Sequence, residues 1–175
     1  VYTVKPEYAA VEGSSMYLKA GETLSLQDTL YGLMLASGND AAVAIAGECG
    51  GMTAFVGKMN AKAAELGLTD THFDNPNGLP SDTHYTTAHE LAKITAAALK
   101  DPVFRQIVST KSCTVSGHAL SNHNRLLSMY DGAIGVKTGF TRAAGRCLVS
   151  AAERNGRTII AVTLNDPNDW NDHME

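Results

Sequence analysis

Long apolar runs, paired cysteines and basic clusters are all missing from this sequence, and each absence closes off a class of function. No stretch approaches the roughly 18 consecutive apolar residues that a membrane-spanning helix needs, so nothing within the 175 residues reads as a span. Cysteine is limited to Cys49, Cys113 and Cys147. The count is odd, the spacing is wide and no CxxC pair marks a zinc or redox site, so the expectation is three buried free thiols. The 14 Lys and Arg are scattered and outnumbered by 18 Asp and Glu, and the net charge of −4 leaves no electrostatic footprint for nucleic acid. The opening stretch VYTVKPEYAAVEGSS has no basic n-region or apolar h-region. No secretion signal is therefore visible, an absence without weight where an N-terminus has been processed. What is present is ordinary for a globular protein: 44% hydrophobic and 18% charged residues, at a length that builds one domain with a full core and needs neither disulfide nor metal to hold it.

Helical and extended patterns segregate along the chain. Up to Leu24 the β-formers and glycines predict short extended pieces and turns. SLQDTLYGLMLA predicts a helix with Ser25 as N-cap and Leu26, Leu30, Leu33 and Met34 on one face. AAVAIAGEC reads as a second, buried helix ended by Gly50 and Gly51. MTAFVGKMNAKAAELG reads as a third, with Phe55, Met59, Ala63 and Leu66 in phase. Residues 68–85, dense in Asn, Asp, Pro and Gly, predict a long ordered loop of the kind that often carries function. Thr87 and Glu90 form a capping box before LAKITAAALK, and Asp101-Pro102 opens a short helix to about Val108. Strands follow. AIGVKTGFT precedes AGRCLVSAAER and RTIIAVTL, the last two joined by Asn155-Gly156, a hairpin turn. Helices first and an antiparallel sheet afterwards predict an α+β domain.

Two polar clusters sit where apolar packing is expected. Ser37-Gly38-Asn39 interrupts MLASGNDAAVAIAG between two helices, and Lys137-Thr138-Gly139 lies on a strand. Either alone is unremarkable: the first is also helix-capping chemistry, and a lysine is usually just solvated. Together, in this order, they are more specific. A hydroxyl and an amide two residues apart can face one cavity across Gly38. Lys137 and Thr138 can bring a cation and a hydroxyl to the same cavity, beside the space that Gly139 leaves. Such a set suits an anionic, amide-containing substrate.

In these motifs the chain resembles the penicillin-recognising serine acyl-transferases, whose signatures are Ser-x-x-Lys, Ser-x-Asn and Lys-Thr-Gly. More narrowly it is similar to the serine-type D-alanyl-D-alanine carboxypeptidases, low-molecular-mass penicillin-binding proteins that trim peptidoglycan. AAVEGSSMYLKAGETLSLQDTLYGLMLASGNDAAVAIA, MNAKAAELGLTDTHFDNPNGL, HYTTAHELA, NRLL and GVKTGFTRAAGRCLVSAAERNGR carry the likeness nearly end to end. The resemblance implies a β-lactamase/transpeptidase-like α+β fold, with a helical region packed on an antiparallel sheet. It assigns Ser37 to proton relay toward the leaving amine, and Asn39 to holding the substrate amide and the general-base lysine. Lys137 and Thr138 would bind the terminal carboxylate beside Gly139. Phe140 would give one backbone N–H to the oxyanion hole, worth roughly 2.7 to 4 kcal/mol in comparable sites. Thr141 fits the pattern Lys-Thr-Gly-x-Thr, and Arg142 is a further carboxylate candidate, because the arginine that some relatives place after the last strand is replaced by NDPNDWNDHME. The implied ligands are a stem peptide ending in D-Ala-D-Ala and β-lactam antibiotics, with no cofactor and no metal, on the extracytoplasmic face of a bacterial membrane or in its wall.

One signature is missing. No Ser-x-x-Lys occurs, and Ser15 and Lys19 are one residue too far apart. The family sets its nucleophile farther upstream of Ser-x-Asn than the 36 residues available before Ser37. Residues 1–175 are therefore expected to be part of a catalytic domain whose nucleophile helix and C-terminal β domain lie outside, inactive alone, with apolar surface covered by a retained N-terminal peptide or a swapped homodimer. Three alternatives are weighed. A class A β-lactamase would need Glu-x-x-x-Asn where this chain has ELGLTDTHFDN. A metal hydrolase would need better ligand spacing than the pair in HYTTAHE, so the six histidines are expected on surfaces and loops. A non-catalytic peptidoglycan-binding fragment would use the same polar clusters. The acidic end, Asp166, Asp169, Asp172 and Glu175, lacks EF-hand spacing and is expected to be solvated.

Overall fold

The computed structural model describes residues 1–175. A layer of helices packs on a three-stranded antiparallel sheet, the α+β arrangement expected. The chain starts with β1 (Tyr2–Thr3), a short α1 (Pro6–Ala9) and β2 (Thr23–Leu24), which pairs with β1. The main helices follow as α2 (Leu26–Leu35), α3 (Asn39–Glu48) and α4 (Met52–Glu65). After the loop come α5 (Ala88–Ala98) and α6 (Pro102–Ser109). A small hairpin of β3 (Ser112–Val115) and β4 (His118–Ser121) leads through α7 (Leu126–Met129) into the sheet. Its strands are β5 (Ala133–Thr141), β6 (Gly145–Arg154) and β7 (Arg157–Leu164), in the order β5-β6-β7, and α8 (Asp169–Asp172) closes the chain.

Three helix starts, those of α2, α5 and α6, are the ones that cap chemistry dictates. Ser25 Oγ accepts from the Asp28 N–H, Thr87 Oγ1 from Glu90 and Asp101 Oδ1 from Val103 and Phe104, each satisfying donors that a first turn leaves without partners. Asn155 and Gly156 turn the β6–β7 hairpin with φ of 51° and 71°, the two left-handed residues of a twist-matched turn. Two cores result. One joins Val4, Tyr8, Met16, Leu24, Leu35 and Ile107 around α2. The other seats Val108 and Phe104 of α6 and Leu91 of α5 against Val136, Val149 and Ala151 of the sheet. Because α2 touches α3, α6 and the β3–β4 hairpin, its C-terminus is held on several sides, and the chain leaving it is fixed relative to β5.

Several expectations give way. The deeply buried residues of α2 are Thr29, Gly32 and Leu35, while Leu26 is exposed. The helix is wedged rather than laid flat: Thr29 Oγ1 meets the Tyr2 hydroxyl at 2.9 Å and Met16 packs into the notch left by Gly32. The capping box forms only in half. Glu90 is buried, and its carboxylate turns from the helix start to accept from the Thr69 and Asp70 N–H groups and the Thr71 hydroxyl. The three cysteines are free but half-buried. The acidic end is not all solvated, since Asp169 is buried and receives Arg146 Nε and Nη2. The histidines are mixed. His89 is exposed, whereas His118 is tucked between the Met16 carbonyl and Glu22, and His173 between Ser150 and Thr163.

Candidate active site

Ser37 and Lys137 are 100 residues apart in sequence, and the fold brings them into contact: Lys137 Nζ donates to Ser37 Oγ at 2.8 Å and to the Thr138 carbonyl at 2.6 Å. Lys137 reaches across from β5, the edge strand of the sheet that faces the α2–α3 junction. Ser37 occupies that junction with φ of 57°, a left-handed backbone that costs a non-glycine residue about 1 kcal/mol or more. A relaxed glycine there would supply no hydroxyl. The next residue has to be glycine for another reason, since a Cβ on Gly38 would lie 2.7 Å from Asp40 Oδ1 and 3.2 Å from the Met16 nitrogen.

Asn39 and Asp40, adjacent at the start of α3, divide the work. Asp40 is 1% exposed and its carboxylate accepts from the Ser15 hydroxyl and from the Met16, Leu18 and Ala41 N–H groups. It ties residues 15–18 down beside the site. Asn39 donates Nδ2 to the Glu12 carbonyl at 2.8 Å, packed so closely on Gly13 that a Cβ there would sit 2.5 Å from that nitrogen. Its Oδ1 keeps no intramolecular hydrogen bond and borders the open cleft.

The cleft has two lobes that share Ser14, Ser37, Thr138, Gly139 and Phe140. The larger, about 470 Å³, holds Asn39, Lys137 and Thr141, and its far wall is Leu33, Met59, Phe73 and residues 75–79. This puts the predicted long loop at the site. It is ordered by its own side chains: Asn60 brackets the Phe73 N–H and carbonyl at 2.8 Å each, and Asn75 Oδ1 accepts from Gly78 and Leu79. The smaller lobe, about 320 Å³, is bounded by His123, Arg125, Arg146, Asp169 and Trp170. Of the residues singled out from sequence, Ser37, Asn39, Lys137, Thr138, Gly139, Phe140 and Thr141 line this cleft. Arg142 does not; it lies exposed in the β5–β6 turn.

Burial pushes the Lys137 ammonium down from 10.5 to about 8, since no carboxylate contacts it to offset desolvation. Burial and the neighbouring Lys137 charge both hold the His123 imidazole below its ordinary value. The cleft therefore carries a poorly compensated cation, hydroxyls and an unfilled amide oxygen in its larger lobe, and an exposed imidazole at the edge of the smaller one. That set can hold a peptide by its backbone and draw in an anionic end, and can pass a proton through Ser37. No group of three or more His, Cys, Asp or Glu side chains is placed to hold a metal ion.

The sequence pattern of the D-alanyl-D-alanine carboxypeptidase family matches residues 2–168. A D-alanyl-D-alanine carboxypeptidase of Streptomyces sp. (strain K15) is 41% identical over 168 residues, covering 86% of this chain and 58% of the relative. One from Mycobacterium tuberculosis is 44% identical over 153 residues, covering 84% and 53%. The chain thus spans a little over half the length of these two curated relatives. Among solved structures, the Streptomyces K15 DD-transpeptidase superposes with a TM-score of 0.86 at 39% identity, over 93% of this chain and 70% of that one. The D-alanyl-D-alanine carboxypeptidase of M. tuberculosis H37Rv gives 0.88 at 40% identity, over 93% and 64%.

Proposed function

The chain belongs to the D-alanyl-D-alanine carboxypeptidase family, and we propose that it forms the substrate-holding and proton-relay half of a serine peptidase that releases the last D-alanine from a peptidoglycan stem peptide. The observation that carries this reading is the 2.8 Å contact between Lys137 Nζ and Ser37 Oγ at the floor of a cleft that also presents Asn39. A lysine with no carboxylate partner is costly to keep. It makes sense where a substrate carboxylate and a hydroxyl relay use it.

In the proposed reaction the substrate lies along β5 with its terminal carboxylate toward the Lys137 ammonium and the Thr138 hydroxyl. Asn39 Oδ1 accepts the N–H of the peptide bond before the scissile one. The nucleophilic serine and its lysine are contributed from outside these 175 residues, which contain no Ser-x-x-Lys. Attack by that serine forms the acyl ester and breaks the C–N bond. Ser37, accepting from Lys137, keeps its own proton free to donate to the departing D-alanine nitrogen. Phe140 N–H supplies one oxyanion donor, and water then hydrolyses the ester. A β-lactam carries a carboxylate and a strained amide with the same spacing and enters the same way.

The test has two arms. A D-Ala-D-Ala peptide and benzylpenicillin given to the 175-residue chain should yield no released D-alanine and no covalent mass gain. The same reagents given to the protein with its Ser-x-x-Lys segment should yield both, and Ser37→Ala should slow release by about 10²-fold or more. Turnover unchanged by Ser37→Ala would overturn the assignment.

A further inference from the structure

NRLL belongs to the stretches singled out in the sequence, yet its arginine has no part in the reaction described above. Arg125 lies in the smaller lobe of the cleft, which it shares with Ser37 and Thr138. We infer that Arg125, set in place by Trp170, is the outer anchor for the substrate's terminal carboxylate. The inference rests on the functional reading of the cleft and adds a residue to it.

Three observations carry the inference. First, the guanidinium is free: none of its five N–H donors meets an acceptor within the chain, while Arg146, the other arginine lining the lobe, is paired. The one acidic side chain of the lobe, Asp169, is buried and already receives Arg146 Nε and Nη2 and the Trp170 N–H on a single oxygen. The lobe thus keeps one uncompensated positive charge of its own, next to the Lys137 charge of the larger lobe. Second, the guanidinium is held. Its carbon lies 5.7 Å from the Trp170 ring centre, and that of Arg146 lies 6.0 Å away, so the indole lies within cation–π range of both. Trp170 is itself fixed, because α8 is fastened by the Asp169–Arg146 pair and by His173, which bonds Ser150 at 2.7 Å and Thr163 at 3.0 Å. Third, the backbone beneath Arg125 is rigid. Asn122 Oδ1 accepts from the Asn124 N–H and Asn124 Oδ1 from Leu126, with Leu126 and Leu127 buried beyond.

Arg125 is exposed, yet the indole beside it restricts where its fork can sit, and a restricted planar fork suits two-point recognition of a carboxylate. The segment after the last strand supplies the tryptophan that positions an arginine from the other side of the lobe.

The experiment compares an N-acetylated peptide ending in D-Ala-D-Ala with its C-terminal amide. Both are titrated into the 175-residue chain and followed by ligand-observed NMR in every variant, with Trp170, the single tryptophan of the sequence, as a second, fluorescence reporter in the variants that keep it. Wild type should prefer the acid by about tenfold or more. Arg125→Gln should cut that preference to about threefold, Arg125→Lys should restore part of it, and Trp170→Leu should fall between, with thermal melts unchanged. An undiminished preference in Arg125→Gln, or equal weakening of acid and amide, overturns the inference and leaves the functional reading standing. Failure of the wild-type chain to bind either peptide overturns both.

Discussion

Asp40, behind the helical wall of the cleft, and Lys137, on the sheet wall, are both charged side chains drawn out of water, but their surroundings are opposite. Asp40 collects four donors, one hydroxyl and three backbone N–H groups, and leaves no capacity for a ligand. Lys137 has two neutral acceptors, no counter-ion, and an ammonium held down at about 8. A fully satisfied charge organises the chain, whereas an under-satisfied one is a cost that only a ligand removes. The same contrast separates Asn39 from Asp40, neighbours in sequence, of which one keeps a free acceptor facing the cleft.

The comparison breaks most visibly at Asp40. Asp40→Ala would leave three buried donors without an acceptor and release residues 15–18, the segment that carries Met16 into α2. The expected loss is about 3–4 kcal/mol of stability in urea unfolding. A loss under about 1 kcal/mol would mean that the segment is held by packing alone.

Glu90 sharpens the comparison, because it repeats the Asp40 strategy for the loop that forms the far wall. The Thr71 hydroxyl, then the Asp70 and Thr69 N–H groups, hold its carboxyl below the ordinary 4.5. Its contribution is therefore present above about 4.5 and is lost as the pH falls through the lowered value. In Glu90→Gln the acid limb of the stability curve should flatten. Limited proteolysis should clip residues 75–79 faster than in wild type at neutral pH, with the helices intact.

These carboxylates also show where sequence reading reached and where it stopped. Ser37, Asn39 and Lys137-Thr138-Gly139 stood out because polar residues interrupted apolar periodicity, and the fold class followed from helical and alternating patterns that are local. Glu90 reads as half of a capping box, since Glu at the third position is a common cap choice, and Asp40, in a first turn beside the polar cluster, draws no separate notice. Their true partners lie 20 or more positions away, at Leu18 and Asp70, and no local pattern encodes that. Arg125 and Trp170 were hidden for the same reason: 45 residues separate them and each alone reads as surface. Arg142 is a candidate only as a stand-in for an arginine after the last strand, and a tight turn after β5 carries it out of the cleft.

The smallest expected effect is at Lys137 and has the opposite sign for stability. Its pKa falls from 10.5 to about 8 on folding, so between those values the unfolded chain binds more protons and stability rises with pH. Below about 8 the folded protein carries the whole penalty of the enclosed charge. Lys137→Met keeps most of the side-chain volume and removes that penalty. The variant should be about 1 kcal/mol more stable than wild type at pH 7, a margin that shrinks as the pH climbs toward 10. Acid-over-amide peptide preference should fall in the same variant. A Lys137→Met chain less stable than wild type at pH 7 would mean that the bonds to Ser37 and Thr138 outweigh desolvation. Lys137 would then belong with Asp40, as a group kept for the fold.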